Sequence, residues 1–186
     1  MKNPSISDIV AEAIGACKDF AACSECFFDF EKYPKAWRGW ENWLTVDIVR
    51  RLNNKAVRPF CTYPKKGLRL DILVEPPGSI AVEIKTNYIS DRDASKNQRP
   101  MPKRIVQDAE KLRNLDGHAR QLLIIATILE SSAAIAAYKS AVKDELSTTF
   151  ADFHVRWHDC SSDGSYILLL VLSKSSSSAL RQRDRR

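Results

Sequence analysis

Two runs of branched apolar residues flank a stop signal: Arg69-Leu70-Asp71-Ile72-Leu73-Val74, then Glu75-Pro76-Pro77-Gly78-Ser79, then Ile80-Ala81-Val82-Glu83-Ile84-Lys85-Thr86. Such runs, bounded by Pro and Gly, read as strands joined by a turn. Two consecutive prolines cannot donate to a ladder, so both strands must end there. With those five residues as the loop, Val74 pairs with Ile80 and Asp71 lies opposite Glu83. A slip of one residue would send the two acids to opposite faces. Within the second strand, Ile80, Val82 and Ile84 share one face, and Ala81, Glu83 and Lys85 share the other.

Facing carboxylates destabilise a sheet by roughly 0.2–1 kcal/mol, and by more when partly buried. A bound divalent cation removes that penalty. Mg²⁺ suits such a pair because it takes a few carboxylate oxygens and keeps several waters. A lysine beside it can orient a water for attack on a phosphate. The combination points to metal-dependent phosphodiester hydrolysis. The plain alternative is that Glu-x-Lys merely solvates an exposed strand face.

A third acid lies upstream. Trp37, Trp40, Leu44, Ile48 and Leu52 recur with a helical period, and Glu41 falls on the same stripe. An acid inside an apolar stripe is costly unless it is paired or bound to a metal. A salt bridge to a neighbouring arginine would serve equally well. Asp47, Arg50 and Arg51 fall off the stripe and are expected to face solvent.

The order helix with Glu41, strand with Asp71, turn, strand with Glu83-x-Lys85, helix, strand resembles the PD-(D/E)xK nuclease superfamily over roughly residues 37–130. Leu70 stands where many members carry proline. The resemblance implies an α/β, restriction-endonuclease-like fold, a three-layer α/β/α core around a mixed central sheet. It implies a Mg²⁺- or Mn²⁺-dependent nuclease. Asp71 and Glu83 would bind the metal with the Ile84 backbone carbonyl, Lys85 would act on the attacking water, and Glu41 would complete the metal's surroundings. Some members place a polar residue on the following helix, where Gln107 stands. The partner implied is nucleic acid, DNA first, with a homodimer or larger complex left open. A non-cleaving binding or accessory subunit on the same fold, and a protein-interaction domain, remain the rivals.

Elsewhere the pattern predicts a first helix over Ser7–Ala21, an aromatic segment with Phe27, Phe28, Phe30 and Tyr33, and a strand over Val57–Thr62. Residues 87–102 show no period and are expected to form a long loop carrying Arg92, Lys96 and Arg99. A helix is expected over Lys103–Asp116 with Gly117 as its stop. The apolar run Leu122–Leu129 suits a central strand buried on both faces. It should lie parallel to the Glu83 strand, because a helix intervenes. A helix over Ser132–Leu146 and strands over Asp152–His158 and Tyr166–Ser173 complete the order. His154, Arg156 and His158 alternate with apolar residues, and the simplest reading is a solvated face. Residues 1–36 are expected to pack on a core of residues 37–173.

At 186 residues the chain can bury one substantial core. Its net charge is +6, of which residues 174–186 carry +4: Lys174 and four arginines against Asp184. Behind Ser175–Ser178, this stretch reads as a disordered basic tail able to touch phosphates. Cys23-x-x-Cys26 has no second pair to complete a zinc site, so reduced thiols are expected. No apolar run approaches the ~20 residues of a membrane helix. The expectation is a cytoplasmic protein without a membrane partner.

Overall fold

The computed structural model describes residues 2–23, 37–63, 68–76, 79–89, 103–115 and 120–174. The segments 24–36, 90–102 and 175–186, with Phe27, Phe28, Phe30, Tyr33, Cys26, the loop arginines and the tail arginines, lie outside these residues. So does Gly117.

The chain opens with α1 (Ile6–Ala22), started by a capping box in which Ser5 and Asp8 satisfy each other's backbone N–H groups. Next come α2 (Trp37–Leu52), β1 (Val57–Tyr63), β2 (Leu68–Val74), β3 (Ile80–Ile89), α3 (Lys103–Arg113), β4 (Arg120–Leu129), α4 (Ser132–Ala141), α5 (Lys143–Thr149), β5 (His154–Asp159) and β6 (Tyr166–Lys174). The six strands form one sheet in the order β1-β2-β3-β4-β6-β5. β3 and β4 run parallel across the α3 crossover, and every other neighbouring pair is antiparallel.

Period two sorts the central strands into two cores. Ile80, Val82, Ile84, Leu122, Ile124, Leu169 and Val171 pack beneath α1 and α2, with Ile9, Ala13, Cys17, Trp40, Leu44 and Ile48. Ala81, Leu123, Ile125, Leu168, Leu170 and Leu172 pack beneath α3, α4 and α5, with Ile105, Leu112, Tyr138 and Phe150. The protein is therefore a mixed α/β sheet covered by helices on both faces. β4 is buried at every residue from Gln121 to Leu129, as a central parallel strand should be.

Several expectations are revised. β3 continues to Ile89, paired with β4 all the way, so residues 87–89 are strand and not loop. Lys174 belongs to β6, opposite Gln121, and not to a tail. The helix expected over Ser132–Leu146 breaks at Val142. That residue is fully buried, and Tyr138 and Leu146, one turn to either side of it, are buried with it. Asp47 is not solvent-facing. It is 7% exposed and binds Arg50 Nη2 at 2.8 Å and Arg51 Nε at 2.6 Å, while Arg51 also reaches Asp19 of α1. Arginine off the apolar stripe here ties two helices together. Among the described residues no helix is long and apolar enough to cross a membrane.

Candidate active site

The hairpin register is the one the five-residue turn demands: Val74 pairs with Ile80, Leu73 with Ala81 and Ile72 with Val82. The β2–β3 ladder then stops. Continued, it would set Asp71 against Glu83 and Leu70 against Ile84. Instead the Asp71 carboxylate accepts the Ile84 N–H, Oδ2 to N 2.7 Å, and replaces the missing ladder bond. The N–H and C=O of an extended residue point the same way, so the Ile84 carbonyl also lies on this opened edge. On its other side Asp71 faces Phe60, whose φ of 50° interrupts the β1–β2 ladder at the same level. Leu70 joins the core beneath α3 although strict alternation would group it with Ile72, so β2 turns at this step.

Where β2 departs, helices on both faces of the sheet reach β3. Lys85 Nζ donates to Glu41 Oε1 of α2 at 3.0 Å and lies 3.5 Å from Asp108 Oδ2 of α3. Lys111 Nζ of α3 donates to Glu83 Oε1. Glu83 is only 1% exposed, and the Lys85 side chain 13%. The face of β3 carrying both is therefore covered by α3 and not solvated, against the alternative of an exposed, solvating Glu-x-Lys.

The electrostatics follow from that burial. Desolvation, with the Asp71 charge beside it, pushes the Glu83 carboxyl up to about 8 against the pull of Lys111. Burial alone would lower the Lys85 pKa, but the carboxylates of Glu41, Asp108 and Asp71 together raise it. Burial likewise raises Asp108, opposed by Lys85 and Lys111.

The structure thus brings Glu41, Asp71, Glu83, Ile84 and Lys85 to one place. Gln107 is exposed on α3 and does not join them. Asp108 and Lys111 do, although neither is among the site residues expected from the sequence. The available signal was their spacing: three residues apart, they flank the buried stripe Ile105, Ala109 and Leu112 and share one side of the helix. His154 and Arg156 are exposed on β5 as expected, while His158 is half-buried there. Cys23 is exposed. Among the described residues no three His, Cys, Asp or Glu side chains are gathered as a ready metal site. Comparison of the chain with protein-family models, with curated proteins and with solved structures returned no match.

Proposed function

We propose that the chain is a Mg²⁺- or Mn²⁺-dependent nuclease on a restriction-endonuclease-like α/β/α core, cutting phosphodiester bonds in nucleic acid, with DNA the expected substrate. The observation that carries this reading is the break in the β2–β3 ladder, where Asp71, Glu83 and the Ile84 backbone meet Lys85. The charges fit a divalent cation. While Glu83 keeps its proton, up to about 8, Glu41, Asp71 and Asp108 face the ammonium groups of Lys85 and Lys111 with one negative charge in excess; a cation that displaces that proton would meet two, in a largely buried place. Asp71 and Glu83 with the Ile84 carbonyl are the oxygen donors such a hard cation prefers. Bound there, the cation would polarise the phosphate and lower the pKa of its water.

Lys85 has a narrower part than the sequence suggested. The carboxylates of Glu41, Asp108 and Asp71 favour its charged form, which suits it to orient the attacking water and stabilise charge on the phosphate. Glu41 and Asp108, one from each helical layer, hold the ammonium at a fixed point on β3.

A second reading has one observation in its favour. Each lysine of the cluster already has a carboxylate partner without any metal, as a non-cleaving binding subunit would allow. Cleavage assays on single- and double-stranded DNA and RNA with Mg²⁺, Mn²⁺ or EDTA separate the two. The nuclease reading requires EDTA-sensitive cutting that is lost in Asp71→Asn. Binding without cutting under every condition selects the second.

A further inference from the structure

Lys111 is the residue of the cluster for which the proposed chemistry assigns no part. It lies near the C-terminal end of α3, and its ammonium reaches back over the sheet to Glu83. The stripe Ile105, Ala109 and Leu112 anchors that helix in the core, so the reach is set by the fold. Glu83 needs such a partner. It is buried beneath α3 with Asp71 beside it, and a lone carboxylate in that setting is costly. Asp71 has its own satisfaction in the Ile84 N–H. Lys85 is turned to Glu41 and Asp108. Lys111 is therefore the cation that Glu83 holds when no metal is there.

A divalent cation on Glu83 and the Lys111 ammonium on the same carboxylate repel each other and compete for its oxygens. Lysine is suited to yield, being a compact charge on a flexible stem. The Lys111 side chain is also 22% exposed, so water can take up its charge.

We infer that Lys111 is the resident counter-ion of the Asp71–Glu83 pair, displaced from Glu83 when a divalent cation binds, and that it thereby sets the metal affinity of the site. The inference rests on the nuclease reading for the metal, but not for its test.

Mn²⁺ binding to the whole protein, by isothermal titration after EDTA treatment, is the direct measurement. Lys111→Met should bind Mn²⁺ about tenfold more tightly than the parent, because the competing cation is gone. Its melting temperature without metal should fall, and Mn²⁺ should raise it further than it raises the parent's. The double variant Glu83→Gln, Lys111→Met has a neutral pair in place of the charges. It should melt at or above the parent in EDTA and lose most of the response to Mn²⁺. Should Lys111→Met not fold without metal, Lys111→Gln keeps a donor to Glu83 and should show the same order of Mn²⁺ affinity. Parent protein that binds Mn²⁺ while neither single variant binds it more tightly would overturn the counter-ion and leave the nuclease reading standing. Parent protein and variants that all fail to bind Mn²⁺ would remove both.

Discussion

Glu83→Gln tests the electrostatics of the site without any assumption about substrate. The folded protein holds this carboxyl up to about 8, against an ordinary 4.5. In the unfolded chain it ionises as pH passes its ordinary value, while in the fold it keeps its proton. The folded state thus binds more protons across that window, and stability must fall as pH rises. The loss begins near pH 4.5, is on the order of 3 kcal/mol at pH 7, and levels off above the folded value near 8. Glutamine keeps the shape and removes the titration. It also costs Lys111 its carboxylate, and the partial exposure of that lysine limits the cost. Metal-free Glu83→Gln should therefore be about 1–3 kcal/mol more stable than the parent at pH 7 and about equal near pH 4.5. Urea unfolding in EDTA at pH 5, 6, 7 and 8 measures the gap. A difference that stays constant across that range, or a variant less stable at pH 8 than the parent, would refute the argument.

Lys85→Ala should abolish cleavage and also lose about 1–3 kcal/mol by denaturation, since it strips the cation from two half-buried carboxylates. Cleavage at the parent's rate would make Glu-x-Lys incidental and favour the binding-module reading. Asp47→Ala should lose about 1–3 kcal/mol, because Arg51, which bridges it to Asp19 of α1, loses a buried partner; parent-like urea unfolding would show that the network adds no stability. Arg113 and Lys174 hold the Asp152 carboxyl well below the usual carboxylate range. Its contribution is therefore complete above its ordinary pKa and is lost as pH falls below it. Asp152→Asn should narrow the stability gap between pH 5 and pH 2.5, and an unchanged acid profile would count against the triad. Removing residues 175–186 takes away the four tail arginines, and should weaken nucleic-acid binding and flatten its salt dependence. An unchanged slope would show that they touch no phosphate.

What the sequence determined about this protein was what repeats over short distances. The alternation of Ile80, Val82 and Ile84 with Ala81, Glu83 and Lys85 is a backbone property of an extended chain, so the faces of β3 could be assigned without knowing what covers them. The length of the Pro-Pro-Gly turn set the hairpin register from Val74–Ile80 to Ile72–Val82, and so brought Asp71 to the level of β3 where the ladder ends. The helical stripe through Trp40, Leu44 and Ile48 likewise placed Glu41 on a helix that faces the sheet. Tertiary structure decided burial and partnership, because both depend on chain far away in sequence. Only the packing of α3 turns the polar face of β3 into an interior one, and only there does Glu83 need Lys111 and Lys85 need Asp108. Alternation cannot show where a ladder ends, and it was the early departure of β2 that opened the edge where helices from both layers meet. Asp47 makes the same point outside the site: by period it belonged to solvent, and by packing it is a buried anchor for two arginines. A charge's position along the chain is local information. Its solvation, which determines what that charge can do, belongs to the assembled fold.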